Sequence, residues 1–327
     1  MRPSRVRGNI AVLLAVCLVA LAGCAGPTGP GILGGGTCSL EPVARVPVRL
    51  YSGLPLVDAT IAGAPVRLVL DTGADRTLLS EAAVRRLGLP RDPHRTSRST
   101  GVGGAFGGFD ALTNTITLGG TTLPLPRVVV GDFDLGFSDT QVDGLLGADL
   151  WRHFDVDLNL PARTATLYRA QFCHRSAPPW PGPAITVEGL AGPPTRLLLP
   201  VALDGKGAAA IFDTGAQVTA VSTRLAARVP EPADPGREVR LRGAGAATAR
   251  LRARRFASLQ IGPLLFADPV LPVMPLPGIV GAVVGEDLLR GCRAWFSFAA
   301  RQLFLAAADV PRNAGGQITL ACPPTSP

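Results

Sequence analysis

At 327 residues the chain has room for one large or two medium domains with a buried core. Aromatic residues make up only 5% of it, while 39 Gly and 31 Pro favour many short strands and turns over long helices. The formal net charge of +8 is carried almost wholly by arginine, Lys206 being the only lysine. Its basic residues are mostly scattered and lack aromatic interleaving, which argues against nucleic acid as a partner.

Arg2, Arg5 and Arg7 precede an apolar run over residues 10–22. That run is shorter than the about 20 residues a bilayer span requires. A charged start, a short apolar centre and small residues at its end read as a secretory leader over residues 1–23. The run closes on Leu21-Ala22-Gly23-Cys24, which resembles the processing box of bacterial lipoproteins. The resemblance implies cleavage before Cys24, a diacylated thiol and an acylated new amino terminus, so the expected partner is a membrane. Ala25 in place of Asp implies the outer membrane of a cell that has one. An ordinary signal peptide with an incidental cysteine is the alternative. Loss of the three leader arginines lowers the net charge from +8 to +5. Residues 24–42, rich in Gly and Pro at their start, are expected to be the lipidated Cys and a flexible tether, its first part reaching at most about 40 Å.

The first folded lobe is expected over residues 43–173. Gly63 marks a hairpin turn feeding an apolar strand at residues 66–70, and that strand runs into Asp71-Thr72-Gly73-Ala74. Thr77 and Ser80 follow, then a short helix at residues 81–87. Thirty residues after Asp71 come Gly101, Gly103 and Gly104, at the tip of a hairpin expected over residues 100–109. An apolar-apolar-Gly segment ending in Gly147 and a helix at residues 149–153 complete the order. The Pro-rich stretch 174–183 then reads as a linker.

The second lobe, residues 184–327, repeats this order. Gly205, the apolar run 208–212, Asp213-Thr214-Gly215-Ala216, Thr219, Ser222 and the glycines Gly243 and Gly245 all keep an offset of 142 from their counterparts. After a four-residue shortening, Gly285 and Asp287 match Gly147 and Asp149, with helices expected at residues 223–229 and 287–291. Agreement of so many features in order marks a duplicated unit. Arg250, Arg252 and Arg254 alternate along a strand returning from the second hairpin, and so share one face. They read as a solvated sheet edge that discourages pairing, or else as a contact for anionic lipid or acidic substrates.

Two Asp-Thr-Gly-Ala motifs in equivalent contexts resemble the aspartic peptidases, and most nearly their retropepsin branch. The resemblance covers nearly all of the chain beyond the leader. It implies an all-β, bilobal acid-protease fold: two retropepsin-like β-barrel lobes with short helices, fused in one chain, with the active site in the cleft between them. Asp71 and Asp213 would form a catalytic dyad that hydrolyses peptide bonds with an activated water. Two carboxyl groups so close share one proton, which allows one to act as base and the other as acid. Thr72 and Thr214 would bond across the lobes, Gly73 and Gly215 would let amides approach the carboxylates, and Gly147 and Gly285 would pack against the active loops. The glycine-tipped hairpins, with Gly101, Gly103, Gly104, Gly243 and Gly245, would be two flaps. Pepsin-like enzymes usually carry Ser or Thr where this chain has Ala74 and Ala216, so the dyad lacks a hydroxyl donor. A mildly acidic optimum is expected.

Of six cysteines, Cys17 leaves with the leader and Cys24 takes lipid, leaving Cys38, Cys173, Cys292 and Cys322. An even number in an exported chain favours two disulfides. Four cysteines allow three connectivities; the preferred set is Cys38–Cys173, closing the first half, and Cys292–Cys322, tying down the carboxyl tail. Neither the cysteines nor His94, His153 and His174 have metal-site spacing, so neither metal nor cofactor is expected. Peptide or protein is the expected substrate, in a small or apolar-lined cleft, and a monomer suffices because one chain holds both aspartates. The competing reading is a non-catalytic peptide-binding envelope lipoprotein with the same fold.

Overall fold

A computed structural model describes residues 37–101, 104–131, 142–173, 177–230, 236–241, 249–276, 278, 280–289 and 291–306. All of these belong to one compact unit, residues 36–327. The first lobe runs β1 (Ser39–Tyr51), β2 (Leu54–Ile61), β3 (Ala64–Leu70), β4 (Leu78–Ser80), α1 (Glu81–Leu87), β5 (Arg91–Gly101), β6 (Gly104–Leu112), β7 (Thr115–Leu118), β8 (Thr121–Pro124), β9 (Arg127–Gly131), β10 (Gly144–Leu146), α2 (Ala148–Trp151), β11 (Asp155–Asn159) and β12 (Thr164–Gln171). The second runs β13 (Ile185–Glu188), β14 (Leu198–Leu203), β15 (Lys206–Phe212), β16 (Ala220–Ser222), α3 (Thr223–Ala226), β17 (Arg237–Leu241), β18 (Ala249–Arg255), β19 (Ser258–Ile261), β20 (Leu264–Ala267), β21 (Val270–Met274), β22 (Val280–Val284), α4 (Glu286–Leu289), β23 (Arg293–Ser297) and β24 (Gln302–Ala306). The fold is mostly β and bilobal, as the sequence implies.

The duplication is visible in the pairing. In the first lobe β3 runs parallel to β10, which is antiparallel to β4, which is parallel to β9. In the second, β15, β22, β16 and β21 repeat that alternation. Turn chemistry sets the entry to each apolar strand. Ala62 and Gly63 turn with φ of 51° and 77°, Asp204 and Gly205 with 45° and 75°. Two consecutive positive φ values make the tight hairpin whose twist matches its strands, and glycine accepts the second without strain. The strands so delivered are central: Leu68, Val69, Leu70, Ala210 and Phe212 are fully buried.

Six strands join the lobes, each antiparallel to the next, in the order β13-β24-β23-β11-β12-β1. The β11–β23 register is Asp155↔Ser297, Asp157↔Trp295 and Asn159↔Arg293. The 138 positions that separate Asp149 from Asp287 also separate Asp157 from Trp295, so a pseudo-two-fold axis passes through that pair. Arg293 bridges the same place, donating to Asp157 through Nε at 2.8 Å and Nη2 at 2.5 Å while its guanidinium stacks 4.3 Å over Trp180.

Local departures from expectation have local causes. β1 starts at Ser39, inside the stretch expected to be tether, because Ser39–Pro42 pairs with β12 and the Cys38–Cys173 disulfide closes that end. The helix α1 matches its expected span, capped by Ser80 Oγ accepting from Ala83 N–H at 3.1 Å and ended by Gly88 in the left-handed region. α3 is capped in the same way by Ser222 but stops at Ala226, its last turn tightening to three-residue bonds ahead of Pro230. α2 and α4 start a residue early because Ala148 and Glu286 N–H groups are held by Ala74 O and Ala216 O. The three arginines of β18 are not on a sheet edge. β18 lies between β17 and β21, and β17 is the edge strand.

Candidate active site

Strands β3 and β15 each end by delivering an aspartate. Asp71 N–H donates to Leu146 O and Asp213 N–H to Val284 O, both at 3.0 Å, so each motif is pinned to the parallel neighbour of its own strand. The two loops then lock together. Thr72 N–H donates to Thr214 Oγ1 at 3.1 Å and Thr214 N–H to Thr72 Oγ1 at 3.0 Å. Each hydroxyl also donates to the other lobe, Thr72 Oγ1 to Phe212 O at 2.8 Å and Thr214 Oγ1 to Leu70 O at 2.7 Å. Both threonines are fully buried. A reciprocal set with every group satisfied fixes the loops relative to each other more firmly than one bond could.

The glycines do more than supply amides. A Cβ on Gly73 would lie 2.3 Å from Asp213 Cγ, and one on Gly215 would lie 2.4 Å from Asp71 Cγ. Each loop therefore closes over the carboxylate of the opposite lobe, and only a residue without a side chain fits there. Asp71 Oδ1 accepts from Gly73 N–H at 2.9 Å and Ala74 N–H at 2.8 Å, and Asp213 Oδ1 from Gly215 N–H at 2.8 Å.

Each carboxyl lies against the opposite loop, and each affects the other's protonation. Burial, then the charge of Asp213, raises Asp71 well above the ordinary carboxyl range. Burial likewise raises Asp213, against hydrogen bonds from Gly215 and Asp71 that favour its charged form. A pair held this way keeps one proton between two groups over a range of pH, and its titration belongs to the pair.

A family model described as aspartyl protease matches residues 57–150 and again residues 199–289, once per lobe, each match containing one of the two aspartates. The chain belongs to the aspartyl protease family. Among solved structures, the aspartic proteinase from Irpex lacteus is similar over 82% of this chain and 97% of its own, at 16% identity and a TM-score of 0.49. No curated protein matches the sequence.

Around the dyad of this aspartyl protease a brace is built twice. Thr77 donates to Asp149 from N–H at 2.9 Å and from Oγ1 at 2.7 Å, while Gly147 N–H donates back to Thr77 Oγ1 at 3.1 Å. Thr219, Asp287 and Gly285 repeat it at 2.7, 2.8 and 3.0 Å. Gly147 and Gly285 do pack on the active loops, with Cβ positions 2.4 Å from the Arg76 carbonyl carbon and 2.7 Å from that of Val218. The threonines and acids were visible as repeated positions in the sequence, but their pairing was not, because they are 72 and 68 residues apart.

Among the described residues one ion pair is not repeated in the other half. Arg196 Nε and Nη2 donate to the two oxygens of Asp75, each at 2.8 Å, and Thr195 Oγ1 adds a bond of 2.8 Å. The Arg196 hydrogen bonds hold Asp75 below the usual carboxylate range against a smaller opposing effect of burial. At the matching position of the second lobe stands Gln217, whose amide donates to Ser52 O at 2.8 Å. The cleft is also not simply apolar. A pocket of about 440 Å³ beside Gly73 and Ala74 is lined by Arg76, Arg98 and Arg196.

The remaining expected sites fall as follows. Gly101 pairs with Gly104 at the end of the β5–β6 hairpin, and Gly103 lies outside the described residues. In the second hairpin Leu241 pairs with Ala249, and residues 242–248, with Gly243 and Gly245, lie outside them. Cys38 and Cys173 form a disulfide. Cys292 is buried, while Cys322 and Cys24 lie outside the described residues. Among the described residues no group of His, Cys, Asp and Glu is arranged to hold a metal ion.

Proposed function

We propose that the chain is an aspartic endopeptidase in which Asp71 and Asp213 jointly activate a water molecule for attack on a peptide carbonyl. The observation that carries this reading is the reciprocal closure of the loops, each glycine seated over the opposite carboxylate and each threonine bonded across the lobes. One carboxylate takes a proton from water as its oxygen bonds the carbonyl carbon. The neutral carboxyl gives its proton to the carbonyl oxygen, leaving a neutral tetrahedral diol. On collapse a diol hydroxyl returns a proton to the carboxylate that gave one up, the carboxyl that took the water's proton passes it to the departing nitrogen, and the carbon–nitrogen bond breaks, so the dyad is regenerated. Backbone amides from Gly73, Ala74 and Gly215 hold the carboxylates in place during both steps. A binding protein without turnover would have no use for two buried acids held against their own repulsion.

The enzyme is further proposed to work outside the cytoplasm, in the bacterial cell envelope, anchored by lipid on Cys24 through the tether, on the strength of the leader and processing box at residues 1–24. Two measurements test the reading. Peptide mixtures incubated with the protein between about pH 3 and about pH 8 should show new termini that are absent with Asp213→Asn. Cells carrying Cys24→Ser should release the protein from the membrane fraction. Cleavage that survives the aspartate replacement, or unchanged membrane retention, would refute the corresponding part.

A further inference from the structure

The duplicated frame makes departures from symmetry stand out, and they gather at the pocket beside Gly73 and Ala74. Three of its lining residues are arginines. Arg76 is held from behind by Asp110, donating through Nη2 at 2.6 Å and through Nη1 at 3.3 Å, with Ser97 Oγ accepting from Nη1 at 3.0 Å. Asp110 is fully buried, so that pair is a fixed part of the wall. Arg196 is held by Asp75 as described. Arg98, on β5, is exposed and has no ion pair among the described residues.

Two of the three guanidinium groups are engaged by carboxylates of the wall, Arg196 also feels the charge of the dyad, and Arg98 is the one left without an ion pair among the described residues. A guanidinium has more N–H donors than a single carboxylate uses, so Arg76 and Arg196 retain donors beyond those spent on Asp110 and Asp75. Leu78, Val129 and Leu145 supply apolar surface to the same pocket. A short methylene stem ending in one negative charge matches this chemistry. Of these positions the 142-residue offset repeats only Arg98, as Arg240; Asp75, Arg76 and Arg196 correspond to Gln217, Val218 and Leu54.

We infer, taking the peptidase reading above as given, that this pocket is a subsite for an acidic side chain, Asp or Glu, on one side only of the scissile bond, with Arg98 supplying the selecting charge and Arg76 and Arg196, whose counterparts are Val218 and Leu54, confining the preference to that side. The duplicated fold would otherwise present two similar half-clefts, and a substrate could lie in either direction. A basic wall on one side of the dyad, drawn from both lobes, fixes the direction.

The test uses peptides that differ only in Glu against Gln at each position flanking the cleaved bond, assayed with the full chain. Glu should be favoured by about tenfold in kcat/KM at one position, equivalent to ~1.4 kcal/mol, and not at the position symmetric to it. Salt at about 0.5 M should shrink the ratio, since Arg98 is exposed. Arg98→Gln should bring the ratio towards one and Arg98→Glu should invert it, whereas Arg240→Glu, the counterpart in the second lobe, should leave it in place. Binding of the same peptides to Asp213→Asn separates the two levels. Selective binding of Glu peptides without cleavage by the unaltered chain refutes the peptidase reading and keeps the acidic subsite. Cleavage with equal rates for Glu and Gln at every position, or a preference that survives Arg98→Glu, overturns the subsite and keeps the peptidase. Neither binding nor cleavage overturns both.

Discussion

At the scale of single residues, the site works by keeping two acids where they would not choose to be. Burial and mutual repulsion raise Asp71, so the folded protein binds more protons than the unfolded chain at pH values between the two states' titrations. Stability attributable to this group therefore falls as pH rises from about 4 through the raised folded value. Asp71→Asn cannot ionise and escapes that loss. Its melting temperature should rise relative to the unaltered protein on going from about pH 3 to about pH 7, with no gain at the acid end. Thermal unfolding at the two pH values measures this, and a gap that does not change with pH would contradict it. Gly73 is constrained just as closely. Gly73→Ala places a methyl group 2.3 Å from Asp213 Cγ, and a displacement of the dyad by about 1 Å is enough to reduce turnover about 100-fold.

At the scale of elements, the threonine lock ties the end of β3 to the end of β15. Thr72→Val would leave Thr214 N–H and Phe212 O buried without a partner. Two such groups cost about 2–5 kcal/mol, while Thr72→Ser, which keeps the hydroxyl, should cost under about 1 kcal/mol. Denaturant titration distinguishes the two variants, and equal losses would refute the lock. The elements also show what a sequence makes legible. Ser80, Gly88 and the apolar run before Asp71 act through neighbours a few residues away, so α1 and β3 could be read from the chain alone. Gly73 could be read as a residue of close approach, but that it approaches the other lobe's carboxylate depends on a contact 140 residues distant. Arg196 lay beyond such reading. Its partner Asp75 is 121 residues away, and no repeated counterpart marked it. The same blindness made β18 look like an edge, because strand order is set by pairing across the lobe.

At the scale of the whole molecule, duplication within one chain does what a symmetric dimer does, and adds the freedom to differ between halves. The pseudo-two-fold axis passes through the Asp157–Trp295 pair of the interlobe sheet, and the dyad draws one acid from each half. The Cys38–Cys173 bond closes a span of 135 residues around the first lobe. Replacing both cysteines by serine should cost about 2–5 kcal/mol of stability, read from the shift in denaturant midpoint, and no shift would show that the strand pairing of β1 with β12 alone secures that end. The symmetry of the frame and the asymmetry of the Asp75–Arg196 pair together describe two matching acids in an unequal cleft. The central claim is that Asp71 and Asp213 act as one unit, and the most direct measurement compares kcat for peptide cleavage by Asp71→Asn, Asp213→Asn and the double variant. Groups that share one proton lose together, so each single variant should fall by about 10⁴-fold or more and the double variant little further. A single variant that keeps activity within about tenfold of the unaltered enzyme would contradict the account.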